Sequence, residues 1–106
     1  MINSLIVQNV EYKVTYKKPE KLKVDGDYCM GYIDFINQEI RLRNDLKPDA
    51  QRIVLLHEVM HAMAHGNGID LTEQDIQTLA VALYDFLLFN SGEINIITTQ
   101  GGNLFE

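Results

Sequence analysis

Apolar and polar residues alternate in short runs along the first part of the chain, then give way to a helical period. Residues 5–16, Leu-Ile-Val-Gln-Asn-Val-Glu-Tyr-Lys-Val-Thr-Tyr, alternate in part and are rich in β-branched and aromatic types, which predicts a strand. Lys18-Pro19-Glu20 breaks it. Asp25-Gly26-Asp27 is a turn signal, and Tyr28 to Phe35 reads as a second strand. Asn37-Gln38 can turn the chain into Glu39-Ile40-Arg41-Leu42-Arg43, whose clean alternation predicts a third strand. Together these elements predict a small antiparallel sheet.

The period then changes. Pro48 suits the first turn of a helix, where its missing N–H is no loss. Ile53, Leu56, His57, Met60, His61 and Ala64 recur at helical spacing, and Val54, Leu55, Val59, Ala62 and Met63 make the other faces apolar too. Such a helix is expected to be central and buried, and Gly66-Asn67-Gly68 should end it. A second helix is predicted to start near Asp70 or Thr72, since Asp70-x-x-Glu73 and Thr72-x-x-Asp75 both resemble capping boxes and only one can be the cap. Its apolar stripe is Ile76, Leu79, Ala80, Leu83, Phe86 and Leu87, and it should end near Asn90-Ser91-Gly92. Glu93 to Thr99 is expected as a last short strand, with Gln100-Gly101-Gly102-Asn103 in a frayed tail. The expected fold class is α+β: a small antiparallel sheet packed on one central helix and a second helix.

Composition narrows the picture. A chain of 106 residues is expected to form a single domain, and 46% hydrophobic with 23% charged residues is ordinary globular content. Fifteen acidic against nine basic residues give a net charge of -6, which opposes nonspecific binding to nucleic acid or anionic membrane. Lys13, Lys17, Lys18, Lys21 and Lys23 nevertheless cluster; they read as a solvated edge strand and turn, because edge strands favour lysine. Cys29 is the only cysteine, so no intrachain disulfide and no thiolate cluster can form. The first residues show neither a basic n-region nor a long apolar h-region, and no window approaches the ~20 apolar residues of a membrane helix, so a cytoplasmic location is expected.

All three histidines fall in Leu55–His65, four residues apart, with Glu58 directly after the first. Histidines at i and i+4 share a helix face, about 5–6 Å apart at Cβ. Two imidazoles so placed can converge on one zinc ion at bonds of about 2.0–2.1 Å. Glu58 lies roughly 100° round the helix from His57. It therefore stands beside the metal instead of ligating it, where a carboxylate can take a proton from water whose pKa zinc lowers to about 7. His57-Glu58-x-x-His61 is the zincin arrangement of metalloproteases. The competing reading is a buried helix whose histidines merely hydrogen-bond; against it, the two histidines and the glutamate arrive together on a capped, apolar helix, the context the chemistry needs.

A catalytic zinc site needs a third protein ligand. His65 continues the spacing but lies about 12 Å along the axis from His57, which is too far for one metal on a straight helix. Near the helix end it is better suited to capping carbonyls or meeting the dipole. On the second helix, Glu73 falls about 70° from the centre of the apolar stripe and Asp75 about 90°, on opposite edges. Glu73 also has the longer reach, but either acid, or Asp70 in the turn, can supply the ligand. Tyr84, on the Glu73 side of that helix, is a candidate to stabilise the oxyanion.

On these residues the chain resembles the ImmA/IrrE metallopeptidase family, small gluzincins of bacteria, phages and mobile elements. Gly31-Tyr32-Ile33-Asp34 followed by Glu39-Ile40-Arg41-Leu42 is similar to the family's strand pair, and Leu56 to His65 to its active-site helix. Glu73-Gln74-Asp75-Ile76-Gln77-Thr78-Leu79-Ala80 stands where the family has Glu-x-x-Ala-Asn-x-Phe-Ala, with Ile76-Gln77 and Leu79 as departures. The resemblance spans roughly residues 28 to 90 and leaves 1 to 27 and 91 to 106 unexplained. It implies a zincin-like fold, a Zn²⁺ cofactor held by His57, His61 and Glu73, and Glu58 as catalytic base. It further implies a protein substrate, with a helix-turn-helix transcriptional repressor as the leading candidate.

Two functions compete. The first is a zinc-dependent endopeptidase in which Glu58 activates water and returns the proton to the leaving amine. The second is a zincin-fold binding module that docks to a regulatory or host protein without cutting it. Structural zinc in a scaffold is weaker, because such sites are closed by four protein ligands, often cysteine.

Overall fold

Gln8 and Asn9 both adopt positive φ, 52° and 64°, the pair of left-handed residues that a two-residue hairpin turn needs. A computed structural model, which describes residues 1–99, accordingly divides the expected first strand into a hairpin: β1 (Ser4–Val7) and β2 (Val10–Lys17), paired antiparallel. The turn is hard to see in the sequence because Gln8 is not a residue that usually accepts positive φ. A 3₁₀ turn (Pro19–Lys21) leads to a minor hairpin, β3 (Lys23–Val24) and β4 (Asp27–Tyr28), closed by Asp25 and Gly26 at φ 52° and 85°. Tyr28 pairs with Lys23, so the strand expected over 28–35 is confined to β5 (Gly31–Asp34), which forms a hairpin with β6 (Glu39–Arg43).

The main sheet has the order β1-β2-β6-β5, and β2 pairs with β6 in parallel. The all-antiparallel expectation is thus corrected to a mixed sheet. Parallel pairing needs a crossover of a dozen or more residues, and the 3₁₀ turn, minor hairpin and β5 together supply it. One face of the sheet buries Tyr12, Val14, Ile33, Ile40 and Leu42. Full burial of each aliphatic side chain there contributes about 1.5–3 kcal/mol. The other face carries Arg41, paired with Asp34 and Glu39.

Helix α1 (Pro48–Asn67) lays Leu55, Val59 and Ala62 on the apolar face. It ends as predicted: Gly68 takes φ 64°, its N–H meets His65 O, and Ile69 N–H reaches Ala64 O, the paired bonds of a Schellman cap. Helix α2 (Glu73–Phe89) packs on α1 through Ile76 and Ala80. Leu79 and Phe86, expected in its buried stripe, are 45% and 40% exposed. The helix rests on α1, so its buried strip is narrow. Residues expected as a final strand form instead a short helix, α3 (Ile94–Thr98), whose Thr98 hydroxyl donates to Ile94 O. That local bond replaces strand pairing. The expected tail at 100–103 lies outside the described residues.

Candidate metal centre

The turn after Gly68 reverses the chain so that the start of α2 faces the middle of α1. Thr72 is the cap: its hydroxyl accepts from Asp75 N–H at 3.0 Å, and the Asp75 carboxylate accepts from Thr72 N–H at 3.3 Å. This choice between the two possible capping boxes occupies Asp75 with the helix end. It leaves Glu73 to extend from the first helical position toward the histidines.

His57, His61 and Glu73 converge, and Asp70, Asp75 and His65 stand outside the cluster. His57 Nε2 lies 3.1 Å from Glu73 Oε2 and 3.2 Å from His61 Nε2, and His61 Nε2 lies 2.9 Å from Glu73 Oε1. Tetrahedral zinc with bonds of about 2.0–2.1 Å holds its ligand atoms about 3.3 Å apart, so the three groups are spaced like corners of such a shell. His57 Nδ1 lies 2.8 Å from Gln77 Oε1. A proton on Nδ1 donates to that oxygen and leaves Nε2 with a bare lone pair facing a carboxylate. Acceptors aimed at one another call for a shared cation. The donor set therefore fits zinc. Burial lowers the pKa of His61 below its ordinary value; the proximity of His57 adds to this and Glu73 opposes it. A neutral imidazole is the form that ligates.

Glu58 is the buried charged side chain among the described residues, 6% exposed, and points toward β5. Burial raises its pKa to about 7; His57 opposes this and Glu73 reinforces it. A carboxylate with that proton affinity suits general-base work at neutral pH. Its berth depends on Gly31. A Cβ there would sit 2.6 Å from Val54 Cγ1 and 3.2 Å from Glu58 Oε2, so glycine lets α1 approach the strand. The cleft between β5 and the helices, about 460 Å³, is lined by Tyr32, Ile33 and Phe35 on one side and by His57, Glu58, His61 and Glu73 on the other. β5 is an edge strand, and its Gly31, Tyr32 and Ile33 line the cleft.

Two other candidates lie elsewhere. His65 stacks on Phe35, with ring centroids 4.0 Å apart and an interplanar angle of 18°. Tyr84 is corrected as an oxyanion group: its hydroxyl donates to Asp49 Oδ1 at 2.9 Å, in the first turn of α1. The helices run antiparallel, so a residue about three turns past Glu73 is carried away from the histidines. Gln77 was not singled out from sequence as a partner of His57. Its signal was available: i+4 from Glu73 places both on one helix face.

A model of the Peptidase_M78 family, described as the IrrE N-terminal-like domain, matches residues 8–85. The match takes in β2 and the minor hairpin, which the motif resemblance beginning at residue 28 did not reach. No curated protein and no solved structure matches the chain.

Proposed function

The chain belongs to the Peptidase_M78 family of IrrE N-terminal-like domains, and from that premise we propose that it is a zinc-dependent endopeptidase acting on a specific protein. A helix-turn-helix transcriptional repressor is the candidate substrate. The observation that carries this reading is the convergence of His57, His61 and Glu73 beside the buried carboxylate of Glu58. Zinc held by those three residues supplies Lewis-acid polarisation. Glu58 accepts the proton of the attacking water and delivers it to the departing amine. The outer edge of β5 supports strand addition by an extended substrate, with backbone hydrogen bonds giving affinity and side-chain contacts giving selectivity. Asp34 and the Tyr32 ring both contact Arg41 and brace that strand on its polar face.

A docking protein that never cuts has no use for a buried carboxylate beside its metal, since burying such a group is costly. The test is co-expression with a repressor encoded near this chain, followed by intact-mass analysis. The wild type is expected to yield two fragments. Glu58→Gln should retain zinc and fold yet leave the repressor whole. A Glu58→Gln protein as active as the wild type would sink the peptidase reading in favour of docking.

A further inference from the structure

Five of the chain's nine basic residues line a groove that adjoins the metal cleft. Lys17, Lys18, Lys21 and Arg41 surround a concavity of about 570 Å³. Lys21 and Arg41 also line the adjoining hollow, together with Lys23. Val24 and Tyr32 are in turn common to that hollow and to the cleft at His57, Glu58 and His61. The wall between the two is itself cationic on its groove side, since the Arg41 guanidinium lies 5.7 Å from the Tyr32 ring centroid.

An edge does not account for the whole cluster: Lys13 is flanked by β1 and β6, while Lys17 lies beyond the end of β1 and pairs with β6 alone, and Lys18 and Lys21 belong to the 3₁₀ turn. Nor are they spent on ion pairs: Lys17, Lys18 and Lys21 form none among the described residues. The groove's carboxylates are Glu39, bound by Thr15 and Arg41, and Asp25; Asp34 also contacts Arg41. On a chain of net charge -6 this local surplus of cations stands against the overall balance.

We propose that the groove receives an acidic segment of the polypeptide substrate, on one side of the bond presented to the metal cleft. The proposal rests on the peptidase reading and adds a substrate class to it. Beyond a stretch paired to the outer edge of β5, the substrate chain turns across Tyr32 and Val24 toward Lys21 and Lys23, and then Lys17 and Lys18. Each exposed pairing is weak, but together they select charge and speed association. The acidic remainder of the surface repels the same segment, which sets the direction in which the substrate lies. A nucleic acid fits less well, because its dense phosphates meet that repulsion throughout.

The test uses the zinc-loaded Glu58→Gln chain, so that nothing is cut, and fluorescence anisotropy of labelled peptides. An alternating Glu-Ala peptide is expected to bind about ten-fold more tightly than its Gln-Ala counterpart, and K17S/K18S/K21S, checked for an unchanged melting temperature, should abolish the difference. A metal-binding hydroxamate added to the Glu-Ala peptide should tighten binding at one terminus and not the other. Equal binding of the two peptides, an undiminished preference in the triple variant, or a hydroxamate effect at neither terminus or at both would overturn the proposal. So would a thymidine oligonucleotide of matching charge that binds more tightly than the acidic peptide. No arm measures cleavage, so these failures leave the peptidase reading standing, and failure of that reading appears separately as a wild type that cuts nothing.

Discussion

His57 Nδ1 and Gln77 Oε1 stand 2.8 Å apart across the interface of the two long helices. The contact fixes the tautomer and ring plane of His57, which turns Nε2 toward His61 and Glu73. Partners that orient a ligating histidine typically contribute 10–100-fold to metal affinity, so Gln77→Ala should weaken zinc binding by about that factor. Competition against a chromophoric chelator measures it; an unchanged affinity would contradict the assigned role.

Gly31 is expected to tolerate no side chain. The added Cβ of Gly31→Ala would overlap Val54 and press on Glu58, which costs about 1–3 kcal/mol as overpacking. Urea unfolding of the variant should show that loss, and peptidase activity should fall further than zinc content because Glu58 is displaced. A variant as stable and active as the parent would show that the close approach of α1 to β5 is unimportant.

The zinc-free protein should carry a pH signature of Glu58. Its folded pKa, about 7, is raised from 4.5 mainly by burial, so the folded state keeps a proton that the unfolded state releases. The associated stability is complete below about pH 4.5 and is lost as the pH rises through about 7. His61, lowered from 6.5, works the opposite way in the upper part of that range. Both proteins keep His61, along with His57 and Glu73, which face Glu58. The difference between Glu58→Gln and wild type therefore reports the carboxyl together with its interaction with those neighbours, and it should grow by on the order of 3 kcal/mol across the window in favour of the glutamine. Chemical denaturation at several pH values checks this; a difference independent of pH would contradict a buried, perturbed Glu58.

The parts of the fold legible in the sequence are those governed by local chemistry. Pro48 and Gly68 bound α1, the Thr72 capping box starts α2, and the alternation of Glu39–Arg43 marks β6. Hidden parts depend on partners distant in the chain. Nothing local in β2 announces that β6 will pair with it in parallel, and so Lys13, flanked by β1 and β6, passed for an edge lysine, whereas Lys17 does lie beyond the end of β1. Ile94–Thr98 has β-branched content typical of strands but, among the described residues, no strand beside it to pair with. At the site, the spacing of His57 and His61 reveals their shared face, whereas the roles of Glu73 and Asp75 turn on which of two caps forms. Gln77, whose amide meets His57, is legible both as a departure from the family pattern and as i+4 from Glu73.

The central claim, that zinc is held by His57, His61 and Glu73, is tested most directly by the metal content of purified wild type, Glu73→Ala and Asp75→Ala after dialysis. Asp75→Ala gives up its side of the capping box and should be about 0.5–2 kcal/mol less stable, yet keep stoichiometric zinc like the wild type. Glu73→Ala should lose the metal. Full zinc retention by Glu73→Ala, or zinc loss confined to Asp75→Ala, would contradict the account.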